Sequence, residues 1–346
     1  MTEKHYGGSS SFAVKDNSNK TIANDNKIEK KVSKNNKDYA GQDEVRVNDD
    51  DNLIEGYSEY IKAGKITTQV KEYAKSLIKP GLPLLEIAEK IESKIIELGG
   101  KPAFPVNLSI NETAAHDTPS WNDSRVASGL LKVDLGVQID GYCADTAFSL
   151  DLENNEENKK LILTAEEALK NATNIVKTNT SLNELGSIIE KTISSHGLKP
   201  IHNLSGHSIE RFNLHAGITI PNTSNSSPQQ IQPGIYAIEP FSTNGLGSVK
   251  DGKPSGIYHL EKPGNVRDSF ARDVLTFIAE EYSTLPFCSR WIYKKFGSRG
   301  LLALRQIEQS GLLHHYHQLI EKGNGKVAQA EHTIIISKDK KIIITL

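Results

Sequence analysis

The segment VDLGVQIDGYCADTAF, residues 133–148, holds three aspartates in a stretch that otherwise alternates like a sheet strand. Asp140-Gly141 is a strong signal for a two-residue hairpin turn. Around that turn residue 139 faces 142, 137 faces 144, 135 faces 146 and 133 faces 148. One face is then apolar. On the other, Gly136 lies opposite Asp145, and Asp134 is a diagonal neighbour within about 7–8 Å. A single acidic pair of this kind more often faces water. On a central hairpin, beside a glycine that leaves room, two carboxylates repel unless a cation lies between them.

Three further residues favour the cation. Glu239 in IYAIEPF and Glu331 in VAQAEHTIII are acids within apolar strand-like sequence, where an unpaired charge is costly. His207 in NLSGHSIE follows a Ser-Gly that suits close backbone approach. Four carboxylates and one imidazole are too acidic for a structural zinc site. They suit two divalent cations about 3.5–4 Å apart, bridged by carboxylates and a water, the arrangement used for hydrolysis. Cobalt, manganese, iron and zinc are all compatible with such ligands. For His116 or His215 alone, a core histidine with satisfied hydrogen bonds is the simpler reading.

The elements that must position these groups follow a repeat. Helical patterning begins at Asn52, breaks at Lys79-Pro80-Gly81, and resumes with Leu84, Ile87, Ala88, Ile91, Ile95 and Leu98 on one face. LEIAEKIESKIIELGGKPAF (85–104) aligns with NELGSIIEKTISSHGLKPIH (183–202) at a constant offset of 98 residues, Glu92 falling on Glu190 and Lys101-Pro102 on Lys199-Pro200. His116 and His215 keep that offset to within one residue. The implied class is α+β, two αα-plus-antiparallel-sheet halves with the site between them. PGIYAIEPF (233–241) and a closing hairpin turning at Lys338-Asp339-Lys340 complete the sheet, and residues 267–325 read as a mainly helical insertion.

The bulk composition narrows the partners. With 41 basic against 43 acidic side chains, no global field draws in nucleic acid or an acidic membrane. Lys294, Lys295 and Arg299 in the insertion form no basic stripe, so no DNA partner is expected. Residues 1–51 are crowded with Asn, Lys, Ser and Asp and read as a disordered polar tail. Two cysteines, no apolar signal core and no apolar run near the roughly 20 residues of a membrane span point to a cytoplasmic protein.

From Asn52 to the C-terminus the chain resembles the type II methionine aminopeptidases, of the pita-bread fold shared with aminopeptidase P and prolidase. FPVNLSINETAAHDTP, KVDLGVQIDGYCADTAFSL, NLSGHSIERFNLHAG, YAIEPF and VAQAEHT stand in that family's order. The 92-residue interval from Glu239 to Glu331 is similar to type II enzymes, because type I enzymes lack the insertion. The resemblance implies that Asp134 chelates one metal, that Asp145 and Glu331 bridge both, and that His207 and Glu239 complete the other. It makes His116 and His215 substrate-binding histidines that stabilise charge on the scissile carbonyl, with Glu239 as proton relay. It places Phe104, Pro105, Leu214, Phe241 and Tyr316 around the methionine side chain. His317, where proline is common, and Ala330, where a bulky aromatic is common, depart from the pattern near that pocket. The implied enzyme is a monomeric metallo-exopeptidase that removes the initiator methionine from nascent chains at the ribosome, preferring a small second residue. An X-Pro dipeptidase or aminopeptidase P of the same fold, and a non-catalytic ribosome- or RNA-binding relative, are the alternatives.

Overall fold

The structure, a computed structural model, describes residues 54–346. The expected polar tail lies outside the described residues. Two helices open the first half, α1 (Tyr57–Leu77) and α2 (Leu84–Glu97). Along α1 the buried Tyr60, Ala63, Ile66, Val70 and Ala74 recur at three- and four-residue spacing, so one stripe faces the sheet beneath. Five strands follow, β1 (Lys101–Pro102), β2 (Asn107–Ile110), β3 (Thr113–Ala115), β4 (Leu130–Ile139) and β5 (Tyr142–Asp151). β4 is the hub, with β5 along one edge and both β1 and β2 along the other.

The second half repeats the plan. α3 (Glu156–Ile175) starts at Asn155, whose side chain accepts from the backbone of Glu157 and Asn158. α4 (Leu182–Ser195) and β6 (Lys199–Pro200) then stand 98 residues after α2 and β1, the offset read from the sequence. β7 (Ser205–Ile209), β8 (Thr219–Pro221), β9 (Gly234–Ile238), β10 (Phe241–Thr243) and β11 (Val249–Leu260) complete this half. Leu161, Leu169, Leu185, Ile189 and Ile193 of α3 and α4 pack on Tyr236 and Ile334, while Ile87, Ile91 and Ile95 of α2 pack on Val133, Leu135 and Val137.

The rest of the chain comprises α5 (Ser269–Tyr282), β12 (Phe287–Cys288), α6 (Ser289–Gln309), β13 (Leu313–Glu321), β14 (Val327–Gln329), β15 (His332–Ile336) and β16 (Lys341–Ile343). The last two form the expected closing hairpin. Residues 267–325 are less helical than their pattern suggested, because 313–321 form a nine-residue strand. That strand lies between β11 and β3, partners far away in sequence, so no local signal announces it. α5 and α6 have their own core of Val274, Leu275, Ile278, Phe287, Ile292 and Leu304, which includes Tyr258 and Leu313 from the sheet. Three of their basic residues have partners within the chain. Arg299 lies 4.0 Å over the Phe270 ring, Lys295 5.4 Å over Phe277, and Lys294 3.8 Å from Glu89.

The remaining sheets run β16–β15–β9–β7–β8, β14–β10–β6 and β12–β11–β13–β3. Among the described residues no helix is long and apolar enough to cross a membrane.

Candidate active site

The β4–β5 hairpin has the register that Asp140-Gly141 dictates. Ile139 pairs with Tyr142, Gly136 with Asp145 and Asp134 with Ala147. Both turn residues have positive φ, 51° and 89°, as a type I′ turn requires. Asp134 and Asp145 therefore share one face. Gly136 does leave room, and the Phe104 ring takes it, since a side chain there would collide with that ring.

The two glutamates are placed differently from expectation. Neither lies inside a strand. Glu239 falls in the Glu239-Pro240 break between β9 and β10, and Glu331 in the Ala330-Glu331 break between β14 and β15. Pro240 has no N–H to continue a ladder. The two breaks face each other. Ile238 pairs with His332 on one side and Phe241 with Gln329 on the other, so both chains cross between sheets at the same place. The Ala330 N–H donates to the Pro240 carbonyl at 3.2 Å and the Glu331 N–H to the Ala147 carbonyl at 3.0 Å. Thr146 Oγ1 donates to the Glu331 carbonyl at 2.8 Å, fastening the second break to the hairpin.

His207, on β7 opposite Ala237, brings its Nε2 3.7 Å from Asp145 Oδ2 and 3.8 Å from Glu239 Oε1. One ligand atom from each of Asp145, His207 and Glu331 lies within 4.8 Å of the others. Asp134 and Glu239 are joined through Gln329, whose Nε2 lies 3.5 Å from Asp134 Oδ2 and 3.3 Å from Glu239 Oε2. Burial raises all four carboxyl groups above their ordinary range. For Asp145 and Glu331 the neighbouring acids raise it further, and for Glu239 the charge of Asp134 does so. Asp134 Oδ1 and Asp145 Oδ1 are buried without a hydrogen-bond partner. Among the described residues no lysine or arginine pairs with any of the four. An oxygen-rich donor set with one imidazole, holding buried oxygens that lack partners, fits divalent metal.

These groups line a cavity of about 230 Å³. Phe104, Leu214, Phe241 and Tyr316 form its apolar walls with Ile257 and Leu319. Pro105 does not line it. That residue is buried behind the wall, where its carbonyl accepts from Asn107 Nδ2 at 3.1 Å. His116 and His215 do line it. The His215 ring meets His207 edge-on at 4.4 Å, and the His116 ring meets Tyr316 edge-on at 5.1 Å. Burial lowers His116 and His207 to about 4 and takes His215 well below its ordinary value, so all three imidazoles are neutral near pH 7.

Besides Ile257 and Leu319 in the walls, Gln329 and Asn107 beside the acids escaped the sequence reading. Gln329 stands two positions before Glu331, a spacing that could have flagged it. Asn107 pairs directly with Asp134 across β2 and β4, and its Oδ1 is buried without a partner. Its pairing is non-local and carries no sequence signal.

Residues 58–338 match the family described as Metallopeptidase family M24. The chain is 45% identical to a methionine aminopeptidase of Methanocaldococcus jannaschii, over 84% of this chain and 99% of that one. It is 48% identical to one of Pyrococcus horikoshii, over 82% and 98%. Its fold is similar to that of a methionine aminopeptidase from Thermotoga maritima, with TM-score 0.60 and 21% identity over 83% of this chain and 96% of that one. A prolidase from Pyrococcus furiosus shares the fold at TM-score 0.55 and 18% identity, over 84% and 64%. The buried acidic cluster thus sits in a pita-bread architecture, and the chain belongs to metallopeptidase family M24.

Proposed function

We propose that this chain removes the N-terminal methionine from newly made polypeptides by metal-dependent hydrolysis, with a preference for a small second residue. The observation that carries the proposal is the convergence of Asp134, Asp145, His207, Glu239 and Glu331 beside two neutral histidines in one apolar-walled cavity. The relatives named methionine aminopeptidase support the same substrate. Asp134, Asp145, His207, Glu239 and Glu331 would together hold two divalent ions. When bound, such ions supply Lewis acidity and bring the pKa of water toward neutrality.

The chain's own residues do the rest. Phe104, Leu214, Phe241 and Tyr316 receive the unbranched thioether side chain. Glu239 takes a proton from the attacking water and delivers it to the leaving amine. His116 and His215, being neutral, act as N–H donors to the oxygen of the tetrahedral intermediate. Residues 52–346 form the catalytic domain, and 267–325 an insertion that supplies Tyr316 and Leu319 to the pocket. The protein works as a cytoplasmic monomer on chains leaving the ribosome.

The test is release of free methionine from a Met-Ala-Ser peptide by chelated enzyme titrated with cobalt, manganese, iron or zinc. An X-Pro peptide serves as control. Cleavage of X-Pro but not Met-Ala would transfer the reading to a proline peptidase, and full activity after chelation would end the metal mechanism.

A further inference from the structure

His116 has a backbone φ of 58°, in the left-handed region that a histidine seldom adopts. Positive φ is uncommon for any residue with a side chain, and the surroundings of His116 hold it there. The following residue supplies the hold. Asp117 is 2% exposed and does not line the cavity. Its carboxylate accepts both arms of Arg125, Nη1 to Oδ2 at 2.7 Å and Nη2 to Oδ1 at 2.9 Å. Oδ1 also accepts from Gln318 Nε2 at 2.9 Å. Arg125 is itself fixed by Asp123, Nη2 to Oδ2 at 2.8 Å.

The neighbouring atoms are pinned as well. The Asp117 carbonyl accepts from Leu108 at 2.6 Å, Thr118 Oγ1 donates to the Val106 carbonyl at 2.8 Å, and Arg290 Nε donates to the Pro119 carbonyl at 3.0 Å. Gln318, Tyr316 and Arg290 all come from the inserted segment, so much of the grip on residues 116–119 comes from outside the duplicated halves.

We infer that Asp117, clamped between Arg125 and Gln318, is a positioning residue that holds the His116 imidazole at the substrate carbonyl, and that the insertion serves to brace this histidine. The inference rests on the reading of His116 as a substrate-binding group. Release of the clamp lets φ of His116 relax and swings its ring away from the cavity. Displacement of such a donor by about 1 Å can cost 100-fold in rate.

The experiment compares Asp117→Ala, Gln318→Ala and Arg125→Ala, alone and combined with His116→Ala, in metal-loaded enzyme acting on Met-Ala-Ser. Arg125 is half-exposed, so its variant keeps the core if Asp117→Ala misfolds. The expected result is a fall in kcat of about 10- to 100-fold with KM and calorimetric metal affinity unchanged. Asp117→Asn, which keeps an acceptor for Gln318, restores part of kcat. In the His116→Ala background the same changes cost nothing further, and the His116 imidazole resonance shifts in each single variant. Wild-type kcat in all three variants, or losses that add fully to that of His116→Ala, would overturn the brace while leaving the role of His116 intact. If His116→Ala itself retains wild-type kcat, the reading of His116 fails, and the brace with it.

Discussion

Arg290 and Glu92 form a bidentate ion pair, 2.7 Å on each arm, across 198 residues of sequence. Their side chains are 3% and 9% exposed, and Trp291 Nε1 adds a third bond to Glu92 at 2.8 Å. This buried pair ties α6 to α2, and so the inserted segment to the first half. In the duplicated position Glu190 instead accepts from the backbone and hydroxyl of Ser224. Duplication kept the acid and changed its partner. Arg290→Ala leaves a buried carboxylate without its cation and is expected to cost about 3–5 kcal/mol. Urea unfolding measures it, and a loss under 1 kcal/mol would show that water reaches Glu92.

Gln329 donates to both Asp134 and Glu239, carboxylates from opposite halves. Such outer partners orient ligands, and their removal commonly weakens metal binding about 10- to 100-fold. Gln329→Leu is expected to weaken calorimetric metal affinity by that factor while the far-UV spectrum stays unchanged. Undiminished affinity would mean that the acids orient themselves.

Metal removal exposes a cost built into the site. Without a cation, burial keeps the four carboxyl groups from ionising freely, and for Asp145, Glu239 and Glu331 the charge of neighbouring acids adds to it. An ion that binds only the folded chain stabilises it by about 2.7 kcal/mol at 100 times Kd. The melting temperature is expected to climb with divalent ion concentration, and Asp145→Asn to flatten that climb. A melting temperature indifferent to both chelator and metal would contradict the assignment.

His259 gives a pH dependence separate from the acidic cluster. Burial, and then the charge of His314, lower it from 6.5 to about 4, while Glu261 acts in the opposite sense. Above pH 6.5 the imidazole is neutral in both folded and unfolded chains and contributes nothing. Between 6.5 and 4 the unfolded chain takes up a proton that the folded one refuses, so stability falls as pH falls. Below 4 both forms are charged and the loss levels off. His259→Gln is expected to make the melting temperature less steep in pH between 4 and 6.5. Identical slopes for variant and parent would show that His259 does not resist protonation.

Much of this architecture was legible. The hairpin register follows from a two-residue turn, and α4 and β6 follow α2 and β1 at the offset visible in the repeat. These are local or periodic features, carried by neighbours in the chain. Glu239 and Glu331 were legible as misplaced acids but not as crossover residues. Their breaks exist because β9 and β10 belong to different sheets, as do β14 and β15, a property of pairing rather than of either segment. β13 was misread for the same reason, and Pro105, which the resemblance placed at the pocket, is buried without lining the cavity.

The amino-acid sequence alone determined which residue types could hold a cation, and that two of them lie on one strand face. Those facts depend on side-chain chemistry and the two-residue period of a strand. The tertiary structure alone decided that Glu239 and Glu331 meet, that Gln329 and Asn107 join Asp134, and that Asp117 grips Arg125 and Gln318 beside a left-handed His116. Each of these joins segments far apart in the chain. Only long-range packing repays the chain entropy of bringing them together.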